Sequence, residues 1–228
     1  MAQFIFLRPR PESGTLRLVD VAAIADNLRK GGLAVLPTET GYLLAALATS
    51  EPALISAFAV KARDHSQVMH VACASISMIE TVGVLTPTAA RLLGEFTPGP
   101  LSVIIEKTAL LPDRLVTMNG TVGIRVPDNV ATLQVVAELG EPLTATSLNR
   151  SGEPSTPIDE AGLSQLNWPD GVVHVVVDPT AIRYDTASAL VRVTGEEPEV
   201  LRAGPIDEAQ IRAVLLPGFE GSQERSNG

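Results

Sequence analysis

Cysteine and histidine are scarce in this sequence. Its 228 residues include one cysteine, Cys73, so no disulfide can form within the chain, and the three histidines show no spacing typical of a zinc site. No run of residues is long and apolar enough to span a bilayer, and the N-terminal segment lacks the apolar core of a signal peptide. These absences predict a protein of the reducing cytoplasm with no membrane partner.

Positive charge is also in short supply. Asp and Glu number 26 against 17 Lys and Arg, which gives a formal net charge of −9, and lysine occurs only at Lys30, Lys61 and Lys107. Binding to a polyanion depends on many cations that displace counterions from phosphates. The sequence therefore predicts that binding of free nucleic acid is weak or absent.

Neither common nucleotide-binding loop, GxxxxGK[ST] nor GxGxxG after a strand, is present. What is present is an alternation of helical and strand patterns along the chain. Helices are predicted at 16–32, 50–63, 86–96, 128–140 and 205–216, with a weak one at 158–166. Strands are predicted at 33–37, 41–49, 68–74, 101–107, 121–127, 171–178, 187–195 and 198–204.

This alternation predicts the α/β class (α+β by some schemes), as a three-layer single domain with one twisted, mixed β-sheet covered on both faces. The back-to-back strands near Val103 and Val122, and again near Val191 and Val200, predict antiparallel pairs. We expect the domain to occupy residues 1–216 and the polar segment 217–228 to be a disordered tail.

Four cations are candidates for binding an anionic ligand. Arg125 is the only charge in "TVGIRVP", and a cation inside an apolar strand needs a paired acceptor or a polar cavity. A structural ion pair is the commoner explanation for Arg125 alone. Arg202 lies at a strand end, where a solvated side chain is equally consistent, and Lys61 and Arg63 could simply complement the dipole at the end of a helix.

Two segments are rich in small hydrogen-bonding groups that follow strands. "LPTETGY" and "GEPLTATSLNRSG" could use these groups in their own turns or present them to a ligand, and the sequence leaves both readings open. The residues concerned are Thr38, Thr40, Tyr42, Thr144, Thr146, Ser147 and Asn149. Together with the cations, they would suit a polyanionic small molecule held in a pocket.

The strings "GGLAVLPTETGY", "KAR", "PGPLSVII", "VGIRVPDN", "PLTATSLNRSGEPS" and "VLRAG", in this order, resemble the YrdC/YciO family of threonylcarbamoyl-AMP synthases from about residue 4 to residue 213. The resemblance implies a YrdC-like fold. It also implies an ATP-dependent nucleotidyltransferase that joins L-threonine, bicarbonate and ATP, with Mg²⁺ assisting, into threonylcarbamoyl-adenylate and pyrophosphate. The product would serve the modification of adenosine 37 in tRNA, alongside partner proteins of that process.

The resemblance also assigns roles to residues. It implies that Lys61 and Arg63 act in catalysis by meeting the phosphates or carbonate. Threonine would be bound by Thr38, Tyr42, Arg125 and Ser188. The ATP site would comprise Lys61, Arg63, Gln67, Thr121, Ser147, Asn149, Ser155 and Arg202. No residue is expected to bind a metal directly, and Cys73 is interpreted as a buried small apolar residue, not a nucleophile.

Some positions depart from the family pattern. The family reads YGLG after PTxT, whereas this chain reads "YLLA", a change that we expect to alter packing at Leu44 and Ala45 beside the threonine pocket. At the position of Gln67 many synthases of the family have a lysine or an amide residue followed by a proline, and here the proline is absent. Ala189 stands where the family usually has a threonine. These departures suggest one alternative to an active synthase, a weakly active or non-catalytic nucleotide-binding paralogue. The resemblance itself implies a second, a double-stranded RNA-binding module, because members of the family have been associated with double-stranded RNA.

Overall fold

The computed structural model describes residues 1–61, 69–113, 119–148, 158–195 and 197–216. Seven helices are found in these residues: α1 (Leu18–Arg29), α2 (Glu51–Lys61), α3 (Ile76–Val82), α4 (Pro87–Phe96), α5 (Val130–Leu139), α6 (Glu160–Leu163) and α7 (Glu208–Leu215). None of the described helices has the length and apolar character that a membrane span requires. The predicted tail at 217–228 lies outside the described residues.

The strands form two mixed sheets instead of the one sheet predicted. The first has the order β1 (Ala2–Leu7), β9 (Gly171–Val176), β2 (Leu33–Thr38), β3 (Gly41–Ala45) and β8 (Thr146–Ser147). The second has the order β11 (Glu199–Arg202), β10 (Ala189–Arg192), β5 (Leu101–Glu106), β6 (Thr121–Arg125), β4 (Val71–Ala72) and β7 (Leu143–Thr144). The α/β class is confirmed, and both predicted antiparallel pairs, β5 with β6 and β10 with β11, are observed.

Several predicted helix ends coincide with capping contacts. The hydroxyl of Thr86 accepts a hydrogen bond from Ala89 N at the start of α4, as its position before a proline indicated. Gly140 ends α5 with a φ of 74°, which is a left-handed conformation that favours glycine. At the start of α5 the cap is the side chain of Asn129, one residue later than the predicted helix start at Asp128.

Four elements were missed by the sequence patterns: β1, α3 and the two-residue strands β7 and β8. Strand β1 pairs in parallel with β9, and its mixed burial gives no clean alternation of apolar and polar residues. Helix α3 spans 7 residues, too short for a clear helical period, although Ser75 caps it by accepting from Met78 N. Strand β2 also continues past its predicted end at Pro37. Pro37 pairs with Tyr42, and the strand ends at Thr38.

The side chain of Thr144 joins the two sheets. Its buried hydroxyl donates to the carbonyl of Leu44 at 2.7 Å and accepts from Ala46 N at 3.0 Å, although β7 belongs to one sheet and β3 to the other. Burying a hydroxyl without partners would destabilise the fold, and here both partners are backbone groups of the neighbouring sheet. Thr144 therefore has a structural function, and it does not line the cavity described below.

Gly204 allows the segment after β11 to lie directly against the segment before β10. A Cβ atom at this position would come within 2.4 Å of Ala189 N and 2.7 Å of the Ala187 carbonyl oxygen. Both contacts are with backbone, which cannot move aside as a flexible side chain would. The "VLRAG" string thus needs glycine at its end for close packing.

We predict that Gly204→Ala lowers the free energy of unfolding by about 1 to 3 kcal/mol, because overpacking forces the backbone apart. Gly94→Ala is the matched control, since Gly94 lies inside α4 and a Cβ there meets nothing within 4 Å. That control should stabilise the protein by up to about 1 kcal/mol through helix propensity. Urea unfolding of the two variants tests this, and equal effects would contradict the proposed contact.

Candidate functional site

A cavity of about 430 Å³ lies between the two sheets. Its wall is formed by the β2–β3 hairpin and β8 from the first sheet, and by the ends of β5, β6, β10 and β11 from the second. The lining residues are Thr38, Thr40, Gly41, Tyr42, Leu43, His70, Ser102, Arg125, Ala145, Thr146, Ser147, Ala187, Ser188 and Arg202. Its volume is in the range of small-molecule sites.

Arg125, at the end of β6, is the central cation of the cavity. Its side chain is 10% exposed and forms an ion pair with Glu39, whose carboxylate is fully buried. Arg125 Nη1 donates to the hydroxyl of Thr40 at 3.1 Å, whereas Nε is buried and has no partner among the described residues. The sequence left open an ion pair or a ligand contact, and the structure contains the ion pair at a position that also lines the cavity.

Glu39 is the functional residue that the sequence analysis missed. One carboxylate oxygen pairs with Arg125, and the other accepts from Asp128 N at 2.9 Å. Its carbonyl oxygen accepts from Arg183 N and Tyr184 N, which belong to the connection between β9 and β10. A carboxylate at the tip of a hairpin usually faces solvent, so no pattern in "PTETG" distinguishes this buried one.

Arg202 is the second cation of the lining. Its Nε donates to the carbonyl of Ser188 at 3.0 Å. Partial burial lowers the pKa of Arg202, and the positive charge of Arg125 lowers it further. Arg202 and Arg125 line one cavity. The sequence hypothesis also placed Lys61 and Arg63 there, but Lys61 is not among the lining residues and Arg63 lies outside the described residues.

The predicted threonine-binding residues Thr38, Tyr42 and Ser188 all line the same cavity. The Thr38 hydroxyl donates to the Gly41 carbonyl at 2.7 Å, so it also closes the hairpin turn. The Tyr42 hydroxyl accepts from Asp178 N at 3.0 Å, and burial raises the pKa of Tyr42. Both readings of "LPTETGY", as a turn and as a cavity wall, describe the structure.

Lys61 reaches the cavity wall from the end of α2. The residue is 2% exposed, and its ammonium group donates to the carbonyl of Ser147, which belongs to the lining. Lys61 itself is not part of the lining, and its ammonium group meets the cavity wall through its hydrogen bond to Ser147.

Five other predicted ATP-site residues are not placed at the cavity. Thr121 starts β6, four residues before Arg125, or about 13 Å along an extended strand, and it is not among the lining residues. Arg63, Gln67, Asn149 and Ser155 lie outside the described residues.

The structure corrects the expected effect of "YLLA". Leu44 is fully buried in the core, and its neighbour Leu43 lines the cavity, because successive strand residues point to opposite faces. Compared letter by letter with YGLG, the glycines are replaced at Leu43 and Ala45. The extra bulk beside the cavity therefore comes from Leu43. Ala189, another altered position, is buried and does not line the cavity, and Gln67 lies outside the described residues.

Gly123 provides room for His70 in the cavity wall. A Cβ atom at Gly123 would come within 2.6 Å of the imidazole Cδ2 of His70. The glycine of "VGIRVP" thus allows the imidazole of His70, a lining residue, to lie flat on β6.

Positive charge dominates the described lining. Two guanidinium groups and several hydroxyls face the cavity, and no described lining residue is Asp or Glu, although the whole chain carries a net charge of −9. In the described residues no group of three or more His, Cys, Asp or Glu side chains is arranged to hold a metal ion. The donor set suits carboxylate and phosphate oxygens, which guanidinium and hydroxyl groups bind directly.

Cys73 is buried within the core, and burial raises the pKa of its thiol to about 12. The thiolate is the nucleophilic form of cysteine, so a thiol with this pKa is unreactive at neutral pH. The interpretation of Cys73 as a small apolar residue agrees with this environment.

Comparisons with known proteins identify the relatives of this chain. A family model described as "Sua5_yciO_yrdC: Telomere recombination" matches residues 26–204. The threonylcarbamoyl-AMP synthase of Bacillus subtilis is 34% identical over 201 residues, which make up 86% of this chain and 57% of that protein.

Two solved structures share the fold. Sua5 of Pyrococcus abyssi, complexed with L-threonine, matches with a TM-score of 0.80 and 26% identity, over 93% of this chain and 61% of that one. YciO of Escherichia coli matches with a TM-score of 0.75 and 24% identity, over 92% of this chain and 99% of that one. The chain thus spans about three fifths of the Bacillus and Pyrococcus proteins and nearly all of YciO.

We predict that Glu39→Ala lowers the free energy of unfolding by about 3 to 5 kcal/mol, because it leaves the Arg125 guanidinium buried without its counter-ion. Glu199→Ala removes the partner of Arg192 in an exposed ion pair and should cost less than about 1 kcal/mol. Thermal or urea unfolding measures both. A Glu39→Ala variant as stable as Glu199→Ala would show that the Arg125 pair does not hold the site together.

Proposed function

The chain belongs to the Sua5/YciO/YrdC family, and from this membership and the cavity we propose that it is an ATP-dependent L-threonylcarbamoyladenylate synthase. Its product would supply the N6-threonylcarbamoyl group of adenosine 37 in tRNA, in the cytoplasm and with partner proteins of that modification. The observation that carries the proposal is the position of Arg125 and Arg202 in one cavity whose described lining has no carboxylate.

The reaction requires binding of two kinds of anion. The amino nitrogen of threonine forms a bond to the carbon of bicarbonate, with loss of water, and the resulting carbamate oxygen attacks the α-phosphorus of ATP while pyrophosphate leaves. Negative charge is present on the amino-acid carboxylate and develops on the phosphate oxygens. Fixed cations and hydroxyl donors stabilise such charges without a protein nucleophile, which agrees with the inert Cys73.

The lining residues divide between the two substrates. Arg125 would pair with the threonine carboxylate, because its side chain lines the cavity and the contacts to Glu39 and Thr40 use only part of the five N–H donors of a guanidinium. Thr38, Tyr42 and Ser188 would complete that subsite. Arg202 and Ser147, with Lys61 behind Ser147, would meet the phosphates of ATP.

The roles of Arg63, Gln67, Asn149 and Ser155 in ATP binding stay predictions from the family pattern. Mg²⁺ would enter with ATP, because the described lining offers hydroxyl and guanidinium groups and not the carboxylates that hold a bare cation. When bound, the ion would neutralise charge on the pyrophosphate leaving group. Thr121 is left out of this proposed site because it does not line the cavity.

Leu43 favours a second candidate function, a weakly active or non-catalytic nucleotide-binding paralogue. This apolar side chain occupies part of a largely polar lining, at a position where the family pattern has glycine. It could reduce the space for one substrate while leaving the cations in place. The two candidates differ in turnover and in whether threonine binds after ATP.

The direct test is incubation of the purified protein with ATP, Mg²⁺, bicarbonate and labelled threonine. We expect labelled threonylcarbamoyl-adenylate and an equal amount of pyrophosphate, both dependent on bicarbonate. If ATP binds by calorimetry but threonine adds no heat and no product forms, the paralogue function is correct. Absence of both binding and product would overturn both candidates.

Arg202→Ala should weaken ATP binding by about 1.5 to 3 kcal/mol, the usual value of a hydrogen bond to a charged group, with little change in threonine affinity. Arg192→Ala is the control, because this arginine lies on the adjacent strand β10 but is paired with Glu199 outside the lining. Calorimetric titration of each ligand makes the comparison. An equal loss of ATP affinity in both variants would contradict the proposed phosphate site.

A further inference from the structure

Four side chains form a row across the second sheet at the base of the cavity. The strand order β11, β10, β5, β6 brings together Arg202, Ser188 at the start of β10, Ser102 and Arg125. Ser102 pairs with Leu190 of β10. On its other side, the antiparallel register in which Val103 pairs with Ile124 places Ser102 across from Arg125. All four side chains line the cavity, and the two serines come from the two strands that separate those of the arginines. Ser188 is offset from the other three, because Leu190 is the residue of β10 that pairs with both Arg202 and Ser102.

The two serine hydroxyls are hydrogen-bonded to each other at 2.9 Å. Ser102 is 1% exposed and Ser188 is 4% exposed, and among the described residues neither hydroxyl makes another hydrogen bond. Each hydroxyl has one proton, and only one of the two protons can lie between the oxygens. The pair therefore keeps one O–H donor, together with acceptor lone pairs, for a molecule in the cavity.

The order of this row matches the order of groups in the proposed intermediate. In threonylcarbamoyl-adenylate the carbamoyl group is bonded on one side to the amino acid, which carries the carboxylate, and on the other side to the α-phosphate. The serine pair comes from the two strands that separate the strand of the guanidinium proposed for the carboxylate from the strand of the one proposed for the phosphate. The influence of the Arg125 charge on the pKa of Arg202 supports the closeness of the two ends.

We propose that Ser102 is a substrate-binding residue that, paired with Ser188, holds the one-carbon unit, first as bicarbonate and then as the carbamate. This inference rests on the proposed synthase function. The free O–H donates to an oxygen of bicarbonate while the threonine nitrogen bonds to its carbon and water departs. The same contact then orients the carbamate so that its other oxygen faces the α-phosphorus.

Uncharged donors are well suited to this position. A third cation between Arg125 and Arg202 would add charge repulsion. A hydroxyl donor stabilises the developing negative charge on the carbamate oxygens, and each serine hydroxyl already has one hydrogen-bond partner in the other, which reduces the cost of burying the pair. Ser102 is also held rigidly, since it lies inside β5 between two neighbouring strands.

The test measures initial rates of pyrophosphate release in carbon-dioxide-free buffer, with bicarbonate, threonine and ATP varied in turn. For Ser102→Ala we expect the KM for bicarbonate to rise about tenfold and kcat to fall, with the KM for ATP within about twofold of wild type. Thr97→Ala is the control, because the Thr97 hydroxyl, in the same "TPGPLS" segment, donates to the Leu93 carbonyl outside the cavity. It should leave all three KM values unchanged.

A Ser102→Ala/Ser188→Ala double variant separates direct contact from mere support of Ser188. If Ser102 contacts the substrate, its removal should cost at least a further threefold in kcat/KM for bicarbonate in the Ser188→Ala background. No further loss there, or a wild-type KM for bicarbonate in Ser102→Ala, would overturn the assignment while leaving the synthase function intact. Absence of turnover in the wild-type protein would remove the proposed function and this assignment together.

Discussion

The site depends on one buried ion pair, between Arg125 and Glu39. An arginine inside an apolar sheet must have a counter-ion or lose much of the stability gained elsewhere. Glu39 meets this need and also accepts from Asp128 N and, through its carbonyl, from the backbone of Arg183 and Tyr184. The same residue thus holds together the hairpin, the end of β6 and the connection that leads to Ser188.

This arrangement leaves Arg125 partly available to a ligand. Nη2 of Arg125 binds the carboxylate of Glu39 and Nη1 binds the hydroxyl of Thr40, while the side chain still lines the cavity. A planar guanidinium can serve several acceptors at once because its donors point in fixed, separate directions. The choice between an ion pair and a ligand contact, which the sequence left open, is therefore not exclusive in this fold.

The hydroxyl groups show why composition could locate the site only in part. Thr144 and Ser147 are three residues apart in one segment, yet Thr144 joins the two sheets and Ser147 lines the cavity. Their difference arises from which strand of which sheet each residue meets, and that pairing is a long-range property. The two-sheet division itself was missed for the same reason, since local periodicity predicts strands but not their partners.

Other features were readable from the sequence. Caps, glycine stops and alternation predicted most of the helices and the two antiparallel pairs, because these depend on neighbours along the chain. Arg125 stood out because a charge in an apolar strand is conspicuous, and Arg202 because it lies at a strand end, where open α/β sheets bind their ligands. Glu39 and Ser102 did not, since a glutamate in a turn and a serine in a strand are ordinary until the fold brings them beside an arginine and a second serine.

The contrast between the acidic chain and its basic cavity has a consequence for ligand selection. A net charge of −9 opposes the approach of any long polyanion, because its phosphates beyond the cavity would face the acidic surface. A small anion inside the cavity is instead attracted by two guanidinium groups at short range, where salt screens the attraction less. We therefore expect selectivity for a compact anion over a nucleic-acid strand, because the described lining carries guanidinium groups and the Glu39 carboxylate is fully buried in its pair with Arg125.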